Sequence, residues 1–210
     1  MRKLIVVMIL LLFPLGALAY NGEITKRQIR ILQDWAVKIQ STEGNRGGGI
    51  IVGKNEIITC YHIVRNMDNE TDVIISLNGK RIIGKITKKD KGLDLALIEV
   101  EEEFNFYVPL ETLFRVGERV YVVAAPMDFE DTFLIGRIAN TVKWEGQELM
   151  VIDIKILSGC SGGGVFNWEG KLIGLISGSW GFSTHGDFLG AAIPAATIKK
   201  FLEEENDRRN

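Results

Sequence analysis

Along most of the chain, apolar residues fall in short β-branched runs separated by turn residues, not at helical spacing. Such runs read as strands. Trp35 to Gln40, Ile50 to Val52 and Ile57 to Thr59 open the series, and the last two form a hairpin across Gly53-Lys54-Asn55. Asp72 to Leu77 ends at Asn78-Gly79, a strong hairpin dipeptide, and Arg81 to Thr87 returns from it. Leu93 to Val100 follows. Glu101 to Phe114 carries a run of Glu and a Pro without a period, and reads as a connection between halves. Strand-like runs resume at Arg119 to Ala125, Thr132 to Val142, Leu149 to Ile156, Lys171 to Ser177 and Phe188 to Ile193.

Helical spacing is confined to the two ends of this series. Ile24, Ile29, Leu32 and Trp35 fit one face of a short helix, and Ile198, Phe201 and Leu202 fit one face of a closing helix over 195–205, just after Pro194. Composition agrees with an all-β fold. Hydrophobic residues make up 46% of the chain, enough for a packed interior, and 23 glycines against 4 prolines supply many tight turns. Closure into barrels is one way such a chain removes exposed strand edges. The formal charge of −2 mixes both signs and gives no basic patch for nucleic acid.

The first residues stand apart. Arg2 and Lys3 precede an apolar stretch from Leu4 to Leu15, and Ala17-Leu18-Ala19 places small residues where a signal peptidase reads them. This is the plan of a secretory leader over 1–19, with cleavage expected after Ala19 and a periplasmic or secreted destination. A retained anchor is the competing reading. The apolar core is shorter than the about 20 residues a span needs, and Pro14 interrupts it. No stable membrane span is expected elsewhere. In an oxidising compartment Cys60 and Cys160 can form a bridge or remain two buried free thiols, and the sequence leaves both open. No Cys-His spacing resembles a zinc site, so no metal is expected.

The candidate chemistry centres on Leu157-Ser158-Gly159-Cys160-Ser161-Gly162-Gly163-Gly164. Glycines around a single hydroxyl can be a flexible turn. They can also be a nucleophile loop, in which backbone N–H groups of Gly159 and Ser161 converge on a reacting oxygen. Upstream, His62 follows the strand Ile57-Ile58-Thr59, and Asp94 lies among apolar residues in Gly92 to Val100. A carboxylate in such surroundings is costly unless something hydrogen-bonds it. Orienting a histidine is one such use.

In the order His62, Asp94, Ser161, the chain resembles the trypsin-like (chymotrypsin-fold) serine peptidases, most closely the HtrA/Deg branch. The motifs are Gly48 to Val52 with Ile57 to Val64, Asp94 to Ile98, Phe114 to Val120, Asp153 to Gly164, and Ala192-Ile193-Pro194. The resemblance implies two six-stranded antiparallel β-barrels, about 35–108 and 114–194, in one peptidase domain over 20–210. It implies a serine endopeptidase acting on protein or peptide substrates without a cofactor. A catalytically inactive binding module of the same fold is the alternative, and incidental esterase action a further one. Ser179-Trp180-Gly181 resembles the segment that pairs with substrate backbone, with Ser177 a competing position, because Trp180 is shifted relative to Gly174.

There are departures. Cys160 stands where the trypsin branch has Asp and the HtrA branch Asn, so activation by a freed N-terminus is not expected. Gly164 replaces a usual Pro or Ala, and Tyr61 a usual small residue. Nothing in the chain reads as a PDZ domain, and an oligomer, a trimer by resemblance alone, stays open.

Overall fold

The structure, a computed structural model, describes residues 24–41, 44–69, 71–125, 129, 132–180 and 189–209, with side chains as far as residue 204. The expected leader and Gly181 lie outside the described residues.

Twelve strands close into two antiparallel barrels of six. The first is built from β1 (Ala36–Gln40), β2 (Arg46–Ile51), β3 (Glu56–Cys60), β4 (Val73–Leu77), β5 (Lys80–Asp90) and β6 (Leu95–Val100), joined in the order β1-β2-β3-β6-β5-β4. The second comprises β7 (Arg119–Ala124), β8 (Thr132–Trp144), β9 (Gln147–Ile152), β10 (Gly164–Phe166), β11 (Leu172–Trp180) and β12 (Leu189–Pro194), in the order β10-β11-β12-β9-β8-β7. Among the described residues three helices accompany the barrels: α1 (Lys26–Asp34), the single turn α2 (Tyr61–Val64), and α3 (Ala195–Arg209).

β1, β4 and β5 alternate buried and more open positions, whereas β2, β3, β6 and β7 are buried at consecutive positions. Val37, Ile39, Ile57, Ile75, Leu97 and Ile98 are among the buried residues of the first barrel, and Val120, Val122, Met150, Ile152 and Ile173 among those of the second. The ends of the chain tie the halves together. Thr25 caps α1 through a reciprocal bond with Gln28, whose backbone N–H donates to Thr25 Oγ1 at 3.2 Å. On α3, Ile198 and Phe201 are buried in the first core, while Lys88 of β5 donates to the Phe201 carbonyl and lies 4.3 Å over its ring.

Three local features differ from the sequence pattern. β2 begins at Arg46 and takes in Gly47, Gly48 and Gly49, so it starts earlier than the apolar run Ile50 to Val52. Asp94 lies just outside β6, in a turn with φ +54. Gly164–Phe166 is a strand, held between β7 and β11, at a place where the hydrophobic pattern predicts none.

Candidate active site

His62 sits in α2, the single turn that follows β3, and Asp94 is the last residue before β6. Because β3 and β6 are hydrogen-bonded neighbours, with Cys60 opposite Leu95, the two side chains meet at one end of the first barrel. Asp94 is held on several sides. Its carbonyl accepts from the Tyr61 N–H at 3.0 Å, and its Oδ1 accepts from the His62 N–H at 3.0 Å. Its carboxylate oxygens lie 3.0 and 2.9 Å from His62 Nδ1. A carboxylate only accepts, so Nδ1 carries the proton and Nε2 is left as the basic nitrogen facing away. The left-handed backbone at Asp94 is one that Asp and Asn tolerate better than other side chains. The His62 side chain is 39% exposed and that of Asp94 27%, so the pair is open on one side to solvent.

Ser161 comes from the second barrel, in the loop between β9 and β10. Cys160 N–H donates to Leu157 O at 3.1 Å, and Gly159 has φ +93. A four-residue turn with positive φ at its third position is type II, the form that favours glycine there. Among the described residues, neither the Gly159 nor the Ser161 N–H donates to a protein acceptor. Both residues line a cleft of about 470 Å³ with His62, Asn45, Arg46 and Ser158.

The loop is braced across the barrel interface. The Gly48 N–H donates to Ser161 O at 2.7 Å, and Thr59 Oγ1 donates to Gly48 O at 2.7 Å. Gly162 has φ +81, and a Cβ there would fall 1.9 Å from Gly48 O. Only a residue without a side chain permits this approach. On the other side, Gly162 N–H donates to Ile176 O at 2.7 Å and Ile176 N–H to Gly163 O at 2.8 Å. The Ser161 hydroxyl donates to the Ser177 carbonyl at 3.2 Å and not to the His62 ring.

Beyond Leu175, β11 continues through Ile176, Ser177, Gly178, Ser179 and Trp180 with β12 on one edge and, among the described residues, no strand on the other. The register with β12 shifts between Ile176 and Gly178, so Ser177 is a bulge residue. The bulge explains the displaced tryptophan. Gly178 and Ser179 line a groove of about 360 Å³, while Trp180 packs edge-on to Trp144 at 5.2 Å. Asp153 is exposed and accepts from the Arg137 backbone N–H.

Both cysteines are free and buried. Burial is the main cause that raises both thiol pKa values, and at Cys60 the nearby Asp94 charge raises it further. The chain-order reading did not assign Gly48, Thr59 or the Ser177 carbonyl a part in holding the loop. The glycines of β2 were the available signal, since three in succession inside a core strand imply a close backbone approach.

This fold, with its loop and His–Asp pair at the seam of two barrels, is that of a trypsin-like peptidase domain, and the family model of that description matches residues 47–175. The chain belongs to the trypsin-like peptidase domain family. Among curated relatives it is similar to the human serine protease HTRA4, at 31% identity over 78% of this chain and 35% of that protein. It is equally similar to a probable periplasmic serine endoprotease, DegP-like, of Hahella chejuensis, at 31% over 77% of this chain and 35% of that protein. The chain thus spans about a third of the length of these relatives. Its fold matches the HtrA-type protease AlgW, solved with a tripeptide, with a TM-score of 0.76 at 20% identity over 86% of this chain and 63% of that one. Among the described residues no helix is long and apolar enough to cross a membrane.

Proposed function

We propose that the chain is a serine endopeptidase in which Ser161 is the nucleophile, His62 the general base and then acid, and Asp94 the group that orients His62. The observation that carries the reading is the pair of hydrogen bonds that His62 donates to the Asp94 carboxylate, from its backbone N–H and from Nδ1, with His62 lining the same cleft as Ser161. Ser161 Oγ attacks the carbonyl carbon of a peptide bond and passes its proton to His62 Nε2. His62 returns that proton to the departing amine, and water then hydrolyses the acyl-enzyme by the same route. Rotation of the Ser161 hydroxyl away from the Ser177 carbonyl brings it to His62. Bonds of this kind tighten when substrate arrives.

The Gly159 and Ser161 amides, which donate to no protein acceptor among the described residues, are the donors for the oxyanion. Substrate adds as a strand along β11 at Ser177, Ser179 and Trp180, with Gly181 the next position in sequence, and main-chain bonds supply affinity. The reading takes residues 1–19 as an export leader and 20–210 as the peptidase domain. Export is supported by the basic, apolar and small-residue sections of the leader, and by the periplasmic description of the Hahella relative.

A fluorophosphonate probe tests it. The wild-type chain labels and cleaves a casein substrate, whereas Ser161→Ala does neither and loses on the order of 10⁴–10⁶ in rate. Equal labelling of the two sinks the mechanism. Labelling of neither, with the fold intact, favours the inactive binding module.

A further inference from the structure

The catalytic pair has an unusual neighbour. Cys60 is the last residue of β3, two positions before His62, and its Sγ is 0% exposed. The thiol donates to the Ile176 carbonyl at 3.2 Å, which ties it to β11 of the second barrel. The Cys60 sulfur, a ring nitrogen of His62 and a carboxylate oxygen of Asp94 all lie within 4.8 Å of one another. The ring edge turned to Asp94 is the Nδ1 edge.

We propose that Cys60, His62 and Asp94 form a three-ligand site for a thiophilic divalent cation such as Zn²⁺ or Cd²⁺, and that its occupation switches the peptidase off. The donor set supports this. Thiolate, imidazole and carboxylate are the ligand types zinc uses, at about 2.3 Å for sulfur and 2.0–2.2 Å for nitrogen and oxygen. A tetrahedral ion draws its donors closer together than the present outer limit, so the Cys60 side chain closes by roughly 1 Å. The fourth position faces the cleft, since His62 and Asp94 are the exposed members, and takes a water. The Asp94 carboxylate that disfavours a bare thiolate at Cys60 has the opposite effect once a cation sits between them.

Protons balance in the following way. The ion replaces the proton on Cys60 Sγ, which leaves to solvent. It also replaces the proton on His62 Nδ1, and the imidazole stays neutral by taking a proton at Nε2. No redox change occurs. An Nε2 that carries a proton cannot accept one from Ser161, so the ion fixes the tautomer in which His62 is no base. This loss of activity rests on the functional reading above, whereas ion binding does not.

The test separates the two. Cd²⁺ is titrated into Ser161→Ala, into the same chain carrying Cys60→Ala or Cys60→Ser, and into one carrying Cys160→Ala. The ultraviolet thiolate-to-Cd²⁺ charge-transfer band is followed, with thermal melts as the check on folding. The expected result is a one-equivalent band in the parent and in Cys160→Ala that disappears in both Cys60 variants. Affinity falls there by more than the roughly 10–100-fold that loss of a supporting outer group costs. Cys60→Ser keeps the shape and removes only the soft donor, so it decides the matter if Cys60→Ala fails to fold. A band that persists without Cys60, or no band in the parent, overturns the site. Zn²⁺ inhibition of the active chain that Cys60→Ser leaves unchanged overturns the switch. If the chain proves to have no peptidase activity, the Cd²⁺ band still decides whether the site exists.

Discussion

Replacing Gly162 by alanine probes the contact on which the nucleophile loop rests. The new Cβ falls 1.9 Å from the Gly48 carbonyl oxygen, 2.7 Å from the carbonyl carbon and 3.0 Å from Thr59 Oγ1. The first two are backbone atoms that cannot rotate aside. In addition, φ +81 costs an alanine about 1–2 kcal/mol. Relieving the overlap separates β2 from the loop and breaks the bond from Gly48 N–H to Ser161 O, a net loss of about 0.5–1.5 kcal/mol. With strain shared by the Thr59 bond to the same carbonyl, the expected destabilisation is about 2–4 kcal/mol. A shift of the hydroxyl by about 1 Å costs on the order of 10²-fold in rate. The assay is urea unfolding for stability and kcat/KM on a peptide substrate for activity. Gly117→Ala is the control: its φ is +86, but nothing lies within 4 Å of its Cβ, so it pays only the conformational cost. If Gly162→Ala matches Gly117→Ala in stability and the wild type in rate, the close approach does not position Ser161.

Other expectations follow from the same geometry. Asp94→Asn keeps a residue that tolerates φ +54 but presents an amide N–H to one edge of His62, so kcat falls on the order of 10⁴ while the melting temperature stays near wild type; Asp94→Ala lowers both. The raised thiol pKa values make the folded chain hold these protons more tightly than the unfolded one. The stability they contribute is present below the ordinary thiol value of 9.0 and is lost as pH rises beyond it toward the folded values. Urea midpoints measured upward from pH 8 therefore fall more steeply for the wild type than for a Cys60→Ala, Cys160→Ala double variant. Gln147→Ala removes the 2.9 Å bond from Gln147 Nε2 to the Leu93 carbonyl, which links the β8–β9 turn to the Asp94 turn; a loss of about 0.5–1.5 kcal/mol in stability is expected, with kcat reduced and KM little changed.

Much of the architecture was legible because strands buried in a closed barrel are written as short β-branched runs such as Ile50 to Val52 and Ile57 to Thr59, cut off by turn residues. Residues that gain their conformation from a distant partner left a weaker trace. Gly164-Val165-Phe166 is too short for a period and becomes a strand only between β7 and β11. The shift of Trp180 was visible as an offset from Gly174, but its cause, the Ser177 bulge, exists only in the pairing with β12. Asp94 read as part of a strand because its neighbours are apolar. Its left-handed turn depends on the bonds to Tyr61 and His62, which lie more than thirty positions away in sequence. His62 and Ser161 were legible as candidates from their local surroundings. Their meeting between two barrels was implied by chain order, with His62 and Asp94 in the first run of strands and Ser161 in the second, but the Gly48 N–H bond to Ser161 O that braces the seam exists only once both barrels close.

The bond between Gly48 and Ser161 gives the molecule a built-in order of failure. His62, the proposed base, adjoins the first sheet and Ser161, the proposed nucleophile, the second, and each sheet closes on itself through its own ladder. A mild denaturant or pulling force that opens this contact separates the two groups before either ladder has to break. Inactivation should therefore precede the loss of β-structure, and should reverse as soon as the two halves dock again.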